Sequence, residues 1–305
     1  MRPPILAILG PTAAGKSALG IELALRRGGE IISCDSTAVY RGFDIGTDKV
    51  PAAERRGIPH HLIDVVDPTD EYTAARFVSD AVAAIEDIYD RGRWPVIVGG
   101  TGLYYRALVR GLFPGPGADQ KMRGRLDGIA KRRGVEFLHR MLKRVDAESA
   151  ARIQPRDLKR MVRALEVFFL TGTPMTRHFA ATVSPLAGYE TVAVALSPPM
   201  PLIADRVARR VDAQFERGLL DEIRGLLARG VPETARPFGG LVYRQALEHL
   251  RGVRSEADTR ELITRENRHY ARRQLIWFRK EPNLVWLQRS GESLETLTAV
   301  ETLLS

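Results

Sequence analysis

Gly10-Pro11-Thr12-Ala13-Ala14-Gly15-Lys16-Ser17 follows the apolar run Ile5–Leu9 and leads into residues 16–26, whose apolar side chains recur with helical spacing. The octapeptide matches G-x-x-x-x-G-K-S/T in the strand-to-helix setting that this pattern requires. Its glycines let backbone N–H groups turn inward around phosphate oxygens, and the following helix adds the positive end of its dipole. Lys16 brings a point charge to the terminal phosphates, and Ser17 brings a hydroxyl able to ligate Mg²⁺. The expected binding set for a diphosphate or nucleotide is therefore Gly10, Pro11, Thr12, Ala13, Ala14, Gly15, Lys16 and Ser17, with Ser17 as the metal contact.

Outward from this P-loop, strand-like and helix-like segments alternate. Residues 30–34 and 61–66 read as strands. Residues 72–89 carry Phe77, Val78, Val82, Ile85 and Ile88 at helical period, and residues 95–98 form another β run that ends in Gly99-Gly100-Thr101-Gly102. Such alternation indicates an α/β fold, a P-loop NTPase-like parallel sheet with helices on both faces, whose ligands sit at the carboxyl ends of the strands. The pattern breaks at Gly111-Leu-Phe-Pro-Gly-Pro-Gly117, which reads as a linker. Residues 122–133, 135–144 and 157–170 then look helical, and Thr171-Gly172-Thr173-Pro174 stops the last of them. Residues 191–196 return to β character, 201–229 and 255–280 look like long helices, and Val285-Trp286-Leu287 suits an edge strand. The expected organisation is a core of residues 1–112 and 190–305, interrupted by a small helical insertion domain at 113–189.

The chain has 305 residues, 44% hydrophobic and 27% charged, enough to bury a sizeable core. No apolar run approaches the roughly 20 residues needed to cross a bilayer, and no signal peptide precedes the P-loop, so a cytoplasmic, non-membrane protein is expected. The single cysteine, Cys34, lies in an apolar run and reads as a buried thiol. Net charge is +9, and residues 113–190 carry 15 basic against 8 acidic side chains. A basic field so localised suits a polyanionic partner, most simply a nucleic acid.

Two features argue against an ordinary kinase or NTPase. The 95–98 run ends in Gly99-Gly100 rather than in a Walker B aspartate, and Asp35 stands at the end of the second strand. The loops after the first, second and fourth strands can meet in one crevice, which would gather Lys16, Asp35 and Thr101 around the same phosphates. A carboxylate there can hold Mg²⁺ through water or accept a proton from a nucleophile. His60 and His61 have no Cys or second His at metal spacing. Arg265, Arg268, Arg272 and Arg279 repeat along one helical face, which suits phosphate-backbone contact.

Gly10–Ser17, Asp35-Ser36-x-x-Val39-Tyr40, Asp44-Ile-Gly-Thr47, Pro59-His60-His61-Leu-Ile-Asp64, Gly99-Gly-Thr-Gly-Leu-Tyr104, Arg160-x-x-Arg163-Ala-Leu-Glu166 and Arg272-Arg-Gln-x-x-Trp277-Phe-Arg279 occur in this order. Together they resemble the bacterial tRNA dimethylallyltransferases, also called tRNA isopentenyltransferases, from about residue 5 to about residue 288. The resemblance implies transfer of a dimethylallyl group from dimethylallyl diphosphate to N6 of adenosine 37, in tRNAs that read codons starting with U. It implies Mg²⁺ as cofactor and catalytic roles for Asp35 as general base, Thr101 near the breaking C–O bond and Lys16. Arg210, in Arg206-Val-Ala-Arg-Arg210, would join the diphosphate grip. Asp35, Ser36, Thr37, Ala38, Thr101, Arg123, Lys159, Arg160, Met161, Val162 and Arg163 would touch tRNA, as would Arg268 and Arg272 on the basic stripe. A monomer is expected.

The chain departs from the usual family residues at three places. Ala38 stands where many relatives have glutamine, Val242 where Ile-Gly-Tyr supplies a glycine, and Ile276 where a small polar residue is usual. If position 242 needs a left-handed backbone, the loop there must differ. The competing readings are an isopentenyltransferase acting on free AMP, ADP or ATP, a P-loop small-molecule kinase, and a non-catalytic RNA-binding protein.

Overall fold

A computed structural model describes residues 2–113 and 115–305; Met1 and Pro114, the latter inside the expected linker, lie outside the described residues. The chain divides into two units, Met1–Val109 with Pro185–Ser305, and Arg110–Ser184. These limits lie a few residues before the expected 1–112 with 190–305 and 113–189.

The first unit is built on six parallel strands: β1 (Ile5–Leu9), β2 (Gly29–Cys34), β3 (His60–His61), β4 (Trp94–Gly99), β5 (Thr191–Leu196) and β6 (Val285–Leu287). Their order across the sheet is β3-β2-β4-β1-β5-β6. β1, β2 and β4 are buried at every residue, which explains why they read as unbroken apolar runs rather than as alternating ones. Leu9 pairs with Gly99 and Gly99 with Cys34, so three neighbouring strands end at one level. The loops carrying Gly10, Asp35 and Gly100 therefore leave the sheet side by side.

Helix α1 (Lys16–Arg27) follows the P-loop, and α2 (Ala74–Asp90) and α3 (Gly102–Arg110) follow β3 and β4. Two separate apolar clusters cover the sheet. One gathers Ile32, Phe77, Ile85, Tyr104 and Phe278; the other gathers Leu6, Ile8, Leu19, Leu23, Val98 and Val300. Helices thus lie on both faces, as the alternating pattern requires.

The second unit holds α4 (Gln120–Arg133), α5 (Val135–Val145), α6 (Ala147–Arg152), α7 (Leu158–Thr171) and α8 (Met175–Ala180) around its own core of Leu126, Leu138, Leu142, Met161 and Leu165. Asp119, Asp146 and Asp157 cap three of these helices through their side chains. Glu166 is fully buried and accepts from the Asp119 N–H, Arg123 and Arg163. Burial alone would raise its carboxyl, yet the two guanidinium bonds hold it below the usual value. Removing one partner of such a network strands the others. Glu166→Ala is expected to cost this unit about 3 kcal/mol, near the low end for a buried ion network because both guanidiniums keep some contact with water. Hydrogen exchange over residues 120–171 checks this, by faster exchange there than in the sheet.

The rest of the first unit is α9 (Met200–Glu216), α10 (Leu219–Ala228), α11 (Leu241–Leu250), α12 (Glu256–Phe278) and α13 (Leu294–Leu303). Two expectations change. Residues 201–229 form two helices because Gly218 turns left-handed at φ 90° and ends the first. The third strand spans two residues, not six, because Leu62 and Asp64 both adopt positive φ and carry the chain out of the sheet. That turn brings Asp64 to the buried Lys49 ammonium, which also bonds Asp44 and the Tyr40 carbonyl.

Candidate active site

A cavity of about 790 Å³ opens at the carboxyl ends of β1, β2 and β4. The P-loop residues Thr12–Ser17 form its floor. Asp35, Ser36, Thr37, Ala38 and Asp48 border it, and α9, α11 and α12 contribute Arg210, Val242, Tyr270, Arg273 and Gln274. All of these lie in the first unit.

The P-loop takes its shape from two constraints. Gly15 sits at φ 85°, and a Cβ there would stand 2.9 Å from the Gly291 nitrogen, so only glycine fits. Gly291 N–H in turn donates to the Ala14 carbonyl, and Arg206 bonds the Ala13 carbonyl and Ser290. The segment after β6 therefore braces the loop from outside. Helix α1 starts at Lys16, and no side chain caps the N–H groups of its first turn.

Lys16 Nζ donates to the Pro11 carbonyl at 2.7 Å. Desolvation, followed by repulsion from Arg210, lowers its pKa to about 8, against the opposing pull of Asp35 and Cys34. Below that value the ammonium is charged and above it neutral. Affinity for a diphosphate, and with it kcat/KM for a diphosphate substrate, is expected to fall as pH rises through about 8. Calorimetry at pH 8.5 in buffers of different ionisation heat should then show proton uptake on binding.

Arg210 Nη1 lies 2.7 Å from Thr12 Oγ1 and 3.2 Å from Asp48 Oδ2. Asp48 also accepts from Gln214 and Arg217, yet its carboxyl is raised because burial outweighs these cations. Asp35 Oδ1 accepts from Thr37 N–H at 2.8 Å, from the Thr37 hydroxyl at 2.6 Å and from Ala38 N–H at 3.3 Å. One carboxylate oxygen thus folds the loop after β2. Thr101 sits on the neighbouring loop: its N–H donates to the Cys34 carbonyl, and its Oγ1 accepts from Ser36 N–H at 3.0 Å. The Cys34 thiol is fully buried, points at the Thr101 carbonyl and is held above its ordinary pKa by burial. The topology therefore gathers a lysine, an arginine, a carboxylate and a row of backbone N–H groups at one end of the sheet. Such a site can hold a diphosphate and take a proton beside it.

A family model described as IPP transferase matches residues 38–281. The chain belongs to the IPP transferase family. A tRNA dimethylallyltransferase of Solibacter usitatus is 47% identical over 295 residues, 96% of this chain and 95% of the relative. One of Geobacter metallireducens is 44% identical, with 97% and 96% covered. Among solved structures, the full-length tRNA isopentenylpyrophosphate transferase of Bacillus halodurans aligns with a TM-score of 0.73 and 36% identity, over 99% of this chain and 95% of that one. A eukaryotic dimethylallyltransferase acting on tRNA aligns with a TM-score of 0.79 and 28% identity, over 98% and 77%.

For an IPP transferase, the position of each expected residue matters. Lys16, Ser17, Asp35, Ser36, Thr37, Ala38 and Arg210 border the cavity. Thr101 stands on the loop behind Asp35, with its hydroxyl turned to Ser36. Lys159 and Arg160 are exposed on α7, Arg160 pairing with Asp157. Met161 and Val162 require correction as side-chain contacts to tRNA: they are 0% and 5% exposed, packed in the core of the helical unit. Arg123 and Arg163 are both turned onto the Glu166 carboxylate, whose single negative charge offsets one of their two positive charges. Arg268 and Arg272 are exposed on α12. Trp277 packs instead: Arg106 lies 4.1 Å over its ring, and the ring abuts Gly102.

Val242 lies in α11 with an ordinary helical backbone and is buried, so no left-handed turn is needed there. Asp48, Tyr270 and Gln274 are among the cavity residues for which the sequence carries no signal. Asp48 directly follows the Asp44-Ile-Gly-Thr47 block, and Gln274 lies inside the Arg272–Trp277 block, but spacing alone gave neither a partner. Tyr270 keeps 36% of its surface exposed, yet desolvation of its hydroxyl, with Asp35 nearby, pushes it up to about 12.

Proposed function

We propose that this IPP transferase moves the dimethylallyl group of dimethylallyl diphosphate onto N6 of adenosine 37 of tRNA, releasing diphosphate. Prenyl transfer to tRNA is the activity named for relatives matched over nearly their whole length. The observation that carries the chemistry is Asp35 at the rim of a P-loop cavity that also holds Lys16 and Arg210.

The adenine amino group is a poor nucleophile because its lone pair is delocalised into the ring, so the electrophile must be activated. As the allylic C–O bond breaks, its electron pair leaves with the diphosphate and positive charge grows on carbon. Lys16, Arg210 and the P-loop N–H groups face that growing negative charge, a contribution of about 3 kcal/mol for each well-placed donor. The N6 lone pair forms the new C–N bond, and the N6 proton passes to the Asp35 carboxylate. Thr101, on the loop that Asp35 borders, would bond the bridging oxygen. The target base must leave the anticodon-loop stack to enter the cavity. Pro237, Leu241, Val242 and Tyr270 give the cavity a largely apolar wall suited to a flat base. Ala38 presents only a methyl group, so hydrogen bonds to the base edge fall to its neighbours.

The oxygen donors suit a hard divalent cation. Among the described residues no group of three or more His, Cys, Asp or Glu could hold a metal, so the protein would supply the Ser17 hydroxyl and Asp35, through water, while the diphosphate supplies the rest. Mg²⁺ so held would neutralise the leaving diphosphate. Among the described residues no helix is long and apolar enough to cross a membrane. Lys159, Arg160, Arg268 and Arg272 are the exposed cations we assign to the tRNA backbone. We take the protein to act in the cytoplasm, as a monomer.

Incubation with labelled dimethylallyl diphosphate and either tRNA or AMP tests the acceptor. Label in tRNA alone is expected. Label in AMP alone would replace this reading with a free-nucleotide enzyme, and phosphoryl transfer from ATP without prenylation would replace it with a kinase.

A further inference from the structure

We infer that Gln274 is a positioning residue that locks the P-loop to the loop carrying Thr101, so that the diphosphate grip and the Asp35–Thr101 side of the site keep one register. The inference rests on the function proposed above.

Gln274 lies on the inner face of α12 and is 7% exposed. Its Oε1 accepts from Thr12 N–H at 2.8 Å, and its Nε2 donates to the Gly100 carbonyl at 2.9 Å. One amide therefore satisfies a backbone donor of the loop after β1 and a backbone acceptor of the loop after β4. Thr12 is held at both ends, by Gln274 at its N–H and by Arg210 at its hydroxyl.

A second observation points the same way. Gly100 has no left-handed φ, so backbone conformation does not demand glycine. A Cβ there would stand 2.4 Å from Gln274 Nε2. A side chain at 100 would push the glutamine amide off its partners, so glycine there lets the amide make its close approach. No other uncharged side chain of this length offers both an acceptor and a donor, so the pairing is specific. Thr101 follows Gly100 directly, and a shift of about 1 Å in either loop would cost roughly 10² in rate by misaligning the reacting atoms.

The test compares Gln274→Ala, Gly100→Ala, their combination and Gln274→Glu with the wild-type protein, using dimethylallyl diphosphate and tRNA. Wild-type prenylation in the same assay bears on the proposed function; the ratios of variant to wild type bear on Gln274. Gln274→Ala and Gly100→Ala are each expected to lower kcat by about 10- to 100-fold with tRNA affinity retained. The double variant is expected to lose less than the product of the two single losses, because the alanine methyl then displaces no amide and meets only the Gly10 carbonyl, at 3.2 Å. Gln274→Glu can still accept from Thr12 but cannot donate to Gly100 while ionised. Its activity relative to wild type is expected to recover as pH is lowered and the carboxyl regains a proton. Additive losses, or an unchanged ratio for Gln274→Glu across pH, would overturn the inference. So would wild-type kcat in Gln274→Ala. Should Gln274→Ala not fold, the pH response of Gln274→Glu and the kcat of Gly100→Ala decide alone.

Discussion

Asp35→Asn is expected to lower kcat by about 10³-fold while tRNA and diphosphate affinities stay near wild type. Asparagine is the informative substitution because Asp35 has two tasks. Its Oδ1 folds the loop by accepting from Thr37 and Ala38, and an amide oxygen can keep those bonds. A neutral amide cannot take the N6 proton, so the chemical step loses its base while the loop stays folded. Asp35→Ala removes both functions and is expected to weaken tRNA binding as well. Single-turnover prenylation of tRNA, alongside filter binding, separates the two. Equal loss of kcat and affinity in Asp35→Asn would mean that the carboxylate is structural.

Lys16→Met is expected to lower kcat/KM for dimethylallyl diphosphate by about 10²- to 10³-fold. Methionine matches the stem's length and removes the charge. The ammonium in the unliganded protein is held by the Pro11 carbonyl, a neutral partner that a diphosphate oxygen can replace with gain. The pH profile gives a second readout. The decline of kcat/KM above about pH 8, assigned to Lys16, should be absent from the variant. A decline that persists would assign that ionisation to another group.

The P-loop was legible because it is local: glycine conformation, a strand before and a helix after can all be read within 20 residues. The parallel sheet followed from the alternation, and the neighbouring ends of β1, β2 and β4 put Asp35 and Gly100 beside the loop. Spacing gave no access to partners far apart in the chain. Gln274 meets Thr12 across 262 positions, and Arg210 meets it across 198. Met161 and Val162 sit in a run that reads as basic through Lys159, Arg160 and Arg163, while its helical period turns these two side chains inward. The third strand was overextended because nothing in the apolar content of residues 61–66 announces left-handed turns at Leu62 and Asp64.

The central claim is that this site transfers carbon, not phosphate, to one base of tRNA. Purified protein, dimethylallyl diphosphate, Mg²⁺ and unmodified tRNA should be combined, and the nuclease-digested product mapped by mass spectrometry. The account predicts the gain of a single five-carbon prenyl unit on adenosine 37, absent when Asp35→Asn replaces the wild-type protein over the same short reaction time. An unmodified adenosine 37, or a phosphorylated product formed from ATP in its place, would contradict it.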